Sequence, residues 1–303
     1  METKYSPGYL RLLEKGELED RVRKARQHLE ACDVCPLRCG VNRIAGELGI
    51  CKTGAFAWVS SCFPHHGEEN PIRGRRGSGA IFFARCNLRC VYCQNADISQ
   101  TSSGKQVDSH DLAEMMLALQ TRGCHNINFV SPSHVVPQIL EGVLLAAQNG
   151  LHLPLVYNTG GYDSLEMLKL LDGVVDIYMP DMKYGDETFA RKYSRIKDYP
   201  KVNQEAVMEM HRQVGDLVLD DNGIALRGLL VRHLVLPNDL AGSETLLKFI
   251  AEQISKDTFV NIMAQYHPAY QAYDYPELSR RISHQEYRHV INLAKIYDIT
   301  RLA

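Results

Sequence analysis

From Ala80 onward the chain alternates short apolar runs with helical stretches, and this alternation restricts the fold more than any other feature. Residues 81–84, 127–130, 155–157, 174–179, 229–236 and 259–263 are the strand-like runs. Asp108 predicts a helix cap, with Leu112, Met115, Met116 and Leu119 on one face and Gly123 closing the element. Ser133 is expected to begin a helix ending at Asn149-Gly150, with Pro137 early enough to be tolerated. Helices over 165–171, 187–195 and 202–214 follow, then a small hairpin around Asp221-Asn222-Gly223. Ser243 is expected to cap a helix that turns Leu246, Leu247, Ile250 and Ile254 inward, and Ser283 with Glu286 spells a capping box. About six β-then-α units predict an α/β fold with a parallel sheet and outer helices. Six is fewer than the eight of a closed barrel, so a partial, open parallel β/α barrel is expected.

The front of the chain has a different texture. Leu18, Val22, Ala25 and Leu29 recur at helical spacing. Beyond them, closely spaced glycines from Gly40 to Gly79 read as loop around a group of cysteines. The expected division is a helix and small cysteine-rich module over 1–75 and the barrel over 76–303. A chain of 303 residues that is 45% hydrophobic can bury an ample core. With 34 Lys+Arg against 36 Asp+Glu, nothing draws it to nucleic acid or an anionic membrane, and no apolar run is long enough to cross a bilayer. Met1 to Leu10 lack a charged-then-apolar leader, so a cytoplasmic location is expected. Nine cysteines in that reducing compartment point to metal binding or catalysis rather than a disulfide framework.

The strongest chemical signal is Cys86-Asn87-Leu88-Arg89-Cys90-Val91-Tyr92-Cys93, directly after the first strand. Three thiolates from one loop at a strand's C-terminal end can converge on a single cluster. A four-iron cubane takes four ligands, so three cysteines with no fourth nearby leave one iron free for a substrate or cofactor. A three-cysteine zinc site and three buried thiols are the plainer alternatives.

The spacing Cys-x3-Cys-x2-Cys with an aromatic before the last cysteine resembles the radical S-adenosylmethionine enzymes. The context "GSGAIFFARCNLRCVYCQNADIS" resembles the branch related to pyruvate formate-lyase activating enzyme. Over residues 76–270 the likeness extends to Tyr-Asn-Thr-Gly-Gly at 157–161, Asp181-x-Lys183, "VRHLVLPN" at 231–238 and "QYHP" at 265–268. The front text, "CPLRCGVNR" and "HHGEENP", is similar to activase-like members with a cysteine-rich front. This resemblance implies a [4Fe-4S] cluster on Cys86, Cys90 and Cys93, whose open iron chelates the amino and carboxylate groups of S-adenosylmethionine. One electron would then cleave the sulfonium, and the 5′-deoxyadenosyl radical would abstract hydrogen from a substrate. Tyr92 is expected near the adenine, and Ser131, Asn158, Asp181, Lys183 and Arg232 as strand-end contacts to the cofactor. Asp181 and Lys183 could equally be an ion pair on the barrel rim. One departure stands out. The family's Gly-Gly-Glu at the end of the second strand is replaced by Ser131-Pro132-Ser133, so the carboxylate for the methionyl amino group is missing there.

Cys32, Cys35, Cys39 and Cys51 form a candidate second metal site, suited to zinc or an auxiliary iron–sulfur cluster, with no metal as the third reading. Cys62 or His65-His66 could replace one ligand, although the histidines beside Gly67 read as a solvated turn. Glu68 and Glu69 read as a solvated loop, His267 as either structural or substrate-facing, and Cys124 as a packed thiol. The expected activity is activase-like formation of a glycyl radical on a partner enzyme. Radical chemistry on a small molecule or another protein side chain is the alternative, and a zinc-binding structural protein the remote one. A low-potential donor of flavodoxin or ferredoxin type would supply the electron.

Overall fold

In the computed structural model, which describes residues 5–101 and 103–303, nine strands form one sheet. The first four residues of the segment read for a leader lie outside the described part. In chain order the elements are helices α1 (Gly8–Glu14) and α2 (Glu17–Gln27), strand β1 (Ala57–His65), helix α3 (Asn70–Arg73), strand β2 (Ser78–Phe83), helix α4 (Ala96–Ser99), strand β3 (Lys105–Val107) and helix α5 (Ser109–Thr121). Strand β4 (Ile127–Val130), helix α6 (Val136–Gln148), strand β5 (Leu155–Thr159), helix α7 (Leu165–Leu171), strand β6 (Ile177–Pro180), and helices α8 (Glu187–Ser194) and α9 (Tyr199–Val214) continue the alternation. The chain finishes with β7 (Val218–Leu219), β8 (Ala225–Leu234), α10 (Ser243–Phe249), β9 (Phe259–Met263) and α11 (His284–Ile296).

Strands β2, β4, β5, β6, β8 and β9 pair in parallel in that order, giving the six βα units of an open barrel. Alternation along the strands sorts side chains to two faces. Ile81, Phe129, Tyr157 and Tyr178 point outward into the core beneath the helices. Their neighbours point into the barrel, where Ile72 of α3 plugs the lower end against Val156, Ile177 and Leu230. Helix α11 starts at the expected capping box of Ser283 with Glu286, and α5 at the expected Asp108 cap, which forms a capping box with Asp111.

Two expected caps do not form. Helix α6 begins at Val136 because the Ser133 hydroxyl instead bonds Thr159 Oγ1 at 2.8 Å. Ser243 is the first residue inside α10, its hydroxyl bonded to His233 Nε2 at 2.9 Å, and Asp239 Oδ1 accepts from its backbone N–H. The text between Gly54 and Gly79, read as loop, contains β1, which lies antiparallel on the outer edge of β2 and carries β3 on its far side. Ahead of it, α2 lies on α6 with Leu18, Ala25 and Leu29 buried in the shared core, and Arg26 pairs with Glu141 at 2.6 Å. Buried Asp176, just before β6, ties down the N-terminus by accepting from Tyr5 Oη (2.6 Å), Gly8 N (3.1 Å) and Leu155 N (2.9 Å).

Candidate active site

The C-terminal ends of the parallel strands surround one cavity of about 530 Å³, inside the size range of small-molecule sites. Cys86, Cys90 and Cys93 line it on one side, on the loop that follows β2. That loop leaves the strand through Arg85 at φ +70, whose guanidinium stacks 4.3 Å above the Trp58 ring of β1. It is then fastened by the Asn87 amide, which donates to Tyr162 O at 2.7 Å, and by Val91 N–H to Tyr193 O at 2.8 Å.

Each sulfur has a polar neighbour. Ser194 Oγ donates to Cys90 Sγ at 2.9 Å, Leu88 N–H reaches Cys86 Sγ at 3.4 Å, and Ser99 Oγ lies 3.2 Å from Cys93 Sγ. Burial pushes the Cys86 thiol up to about 12 and Cys90 to about 11, while the Lys183 charge works to lower both. Free, these thiols would stay protonated at neutral pH; iron would displace the protons outright. Among the described residues no three His, Cys, Asp or Glu side chains converge tightly enough to share one ion.

All six expected cofactor contacts line the same cavity: Tyr92, Ser131, Asn158, Asp181, Lys183 and Arg232. Tyr92 packs edge-on against Tyr184 and Tyr266, with centroids 6.3 and 6.0 Å apart, so its ring belongs to an apolar wall behind the cysteine loop. Ser131 sits at φ +60, its N–H bonded to Asn158 O at 2.9 Å. Asp181, Lys183 and Arg232 form a half-buried ionic triad: Lys183 Nζ lies 2.6 Å and Arg232 Nη2 2.8 Å from the Asp181 oxygens. Burial works against the Asp181 charge, but the Arg232 and Lys183 cations outweigh it and hold its carboxyl below the ordinary value. Arg232 Nη2 also donates to Asn158 Oδ1 at 2.7 Å. The ion-pair reading of Asp181 and Lys183 therefore holds, and the pair faces the cavity rather than the outside.

Two readings of the junction segment are corrected. His65 lies on β1, edge-on to Phe63 and Phe82 at 5.7 Å from each, in the cavity wall, whereas His66 stands exposed on the bend before Gly67 as read. Glu68 is not on a solvated loop either: its side chain is 8% exposed inside the barrel, reached by Asn128 Nδ2 at 3.2 Å and Asn158 Nδ2 at 3.3 Å. No local pattern marked these residues, because their burial follows from α3 folding under the sheet. His267 lies outside the cavity lining, with Nδ1 3.2 Å from Gln94 Nε2.

In the front group, Cys32, Cys35 and Cys51 are buried and Cys39 half-buried. Burial raises Cys35 to about 12, and the charges of Cys51, Cys32 and Cys39 would raise it further, so the four thiols lie within one another's influence. As placed they do not converge on one ion. The fully buried Arg43 guanidinium stands 3.9 Å from Cys32 Sγ and donates to His134 O at 2.9 Å.

The Radical SAM superfamily model matches residues 80–250. The chain is 32% identical over 289 residues to an uncharacterised protein of Methanocaldococcus jannaschii, covering 93% of this chain and 79% of that one. It is 27% identical over 112 residues to the pyruvate formate-lyase-activating enzyme of Clostridium pasteurianum, covering 35% and 46% of the two chains. A radical SAM methyltransferase from Sphaerobacter thermophilus superimposes with a TM-score of 0.49 at 13% identity, covering 74% of this chain and 65% of that one. By the family match over more than half its length, the chain belongs to the radical SAM superfamily, enzymes that use a [4Fe-4S] cluster and S-adenosylmethionine.

Proposed function

We propose that this chain is an activase-like radical enzyme, in which Cys86, Cys90 and Cys93 hold the cluster and the ring of polar strand ends holds S-adenosylmethionine. Bound there, the cluster would supply the single electron that cleaves the sulfonium and yields a hydrogen-abstracting 5′-deoxyadenosyl radical. The observation that carries this reading is one cavity with three donor-flanked thiols on one side and Asn158, Asp181, Lys183 and Arg232 on the other.

The chain's own residues prepare that chemistry. Lys183, fixed by Asp181, places a positive charge near the thiols and favours their ionised form. Gly160 keeps the cavity floor bare; a Cβ there would stand 2.8 Å from Leu88 Cδ1 and 3.6 Å from Lys183 Cε. Tyr92, Tyr184, Tyr199 and Tyr266 form a buried aromatic wall behind the loop, which excludes water from the reacting centre.

Two features favour a protein substrate. The described match to pyruvate formate-lyase-activating enzyme is one. The other is the barrel's open side, where exposed Phe63 of β1 and exposed Gln265 just beyond β9 stand on the two margins of the cavity. A gap of this kind admits an extended loop more readily than a sealed pocket would. The reductant would be a low-potential donor of flavodoxin or ferredoxin type. The test is anaerobic incubation of reduced, reconstituted protein with S-adenosylmethionine and candidate glycyl-radical enzymes, followed by electron paramagnetic resonance. A glycine-centred signal that needs both proteins supports activation. Turnover coupled only to a small molecule or to another side chain would replace it with the alternative reading.

A further inference from the structure

Beneath the strand-end ring the barrel holds a second polar level. Asn128 lies two residues before the end of β4, about 7 Å deeper at 3.3 Å per residue. Its Nδ2 donates to Glu68 Oε1, as does Asn158 Nδ2 from β5. Glu69 follows, its Oε1 accepting from Asn261 Nδ2 of β9 at 2.8 Å. Arg232 Nη1 stands 3.7 Å from Glu68 Oε2 while its other nitrogens serve Asp181 and Asn158.

The charges in this stack do not balance. Three carboxylates, Asp181, Glu68 and Glu69, face two cations, Lys183 and Arg232. Asp181 is satisfied by both cations, whereas Glu68 has only the longer contact to Arg232. Burial and then the neighbouring Glu69 push Glu68 up to about 7, against the pull of Arg232. Acceptors are also left over. Fully buried Asn128 leaves Oδ1 without a partner beside Glu68, and the buried Glu69 Oε2 has none either. A buried level in which Glu68 has no close counter-charge and two neighbouring acceptors go unmet calls for a ligand group rich in N–H donors.

The strand end that could otherwise offer a carboxylate cannot. Ser131-Pro132-Ser133 contains none, and the Ser133 hydroxyl is already bonded to Thr159. Of the two carboxylates that line the cavity, Glu68 is the one not neutralised by two cations. We propose that Glu68, delivered from the segment between β1 and α3, is the acceptor for the amino group of S-adenosylmethionine in this cavity. The assignment rests on the reading that this cavity binds that cofactor.

Equilibrium dialysis of anaerobic, cluster-loaded protein tests it with three probes. S-adenosylmethionine and S-adenosylhomocysteine carry the amino group, and 5′-methylthioadenosine lacks it. Glu68→Gln removes the charge and keeps the shape. It is expected to weaken the first two probes about tenfold to a hundredfold, the range of one charge-assisted hydrogen bond, and to leave 5′-methylthioadenosine unchanged. Equal affinity of the variant and the native chain for S-adenosylhomocysteine would overturn the assignment. An equal loss on 5′-methylthioadenosine would also overturn it, because the side chain would then serve the cavity as a whole and not the amino group; Glu68→Asp, which retains the charge, is expected to recover part of the S-adenosylhomocysteine binding that Glu68→Gln loses. If the native chain binds none of the probes, the cavity reading itself fails, a result distinct from failure of the Glu68 assignment.

Discussion

Gly161→Ala probes how tightly the strand ends are locked together. Gly161 has φ +76, and a Cβ built there would lie 2.1 Å from Asp181 O, 2.2 Å from Asn203 Nδ2 and 3.1 Å from Tyr199 Oη. The left-handed backbone alone costs an alanine about 1–2 kcal/mol. The methyl must also displace Asn203, whose Nδ2 donates to Gly161 O (2.9 Å) and Asp181 O (3.0 Å). Losing two such bonds adds about 2 kcal/mol, for a total of about 3–4 kcal/mol. Gly150 supplies the control: its φ is +90, but nothing lies within 4 Å of the added methyl, so Gly150→Ala carries only the backbone strain. Urea unfolding of the metal-free chain under anaerobic conditions, followed by circular dichroism, should separate the two variants by about 2 kcal/mol. Two variants within about 0.5 kcal/mol of each other would refute the close packing of the 157–161 segment against Asp181.

Three further outcomes follow from the same geometry. Asp181→Asn strips Lys183 and Arg232 of their shared counter-charge and should destabilise the chain by about 2 kcal/mol while weakening S-adenosylmethionine binding; a melting temperature equal to that of the native chain would contradict the ionic triad. Burial holds Asp176 up at about 6 in the folded chain, above its ordinary 3.8, so its protonated form stabilises the fold below pH 3.8 and that contribution is lost as pH rises through 6. The stability difference between the native chain and Asp176→Asn should therefore shift against the native chain by about 2 kcal/mol between pH 4 and pH 7, and a flat difference would exclude the shift. Ser194→Ala removes the donor to Cys90 Sγ, and a redox titration of the loaded protein should show a lower reduction potential; an unchanged potential would mean this hydroxyl does not tune the cluster.

The barrel was legible because each of its six parallel strands is a short apolar run next to a helix with its own punctuation. Asp108 and Ser283 carry capping chemistry that works within one turn, so they were readable without knowledge of the fold. Ser133 and Ser243 look the same in sequence, but Thr159 and His233 compete for their hydroxyls, and those partners are set by tertiary packing. Strand β1 escaped because Ser60, Ser61 and Pro64 break its apolar pattern, and its partner, β2, supplies the ladder from beyond a glycine-rich stretch. The three barrel cysteines stood out by their spacing after a strand, and Tyr92, Ser131, Asn158, Asp181, Lys183 and Arg232 were picked out through the resemblance; all nine line the one cavity. Glu68 and His65 were not: they enter the cavity from a segment with no periodic signal, steered there by Ile72 beneath the sheet.

The most direct test of the central claim is the yield of 5′-deoxyadenosine from reduced, anaerobically reconstituted protein given S-adenosylmethionine, compared with Cys86→Ser, Cys90→Ser and Cys93→Ser. The native chain is expected to form the product, and each variant almost none while still melting cooperatively. A variant that keeps the native yield, or an iron-loaded native chain that forms no product, would contradict the assignment of these three thiols.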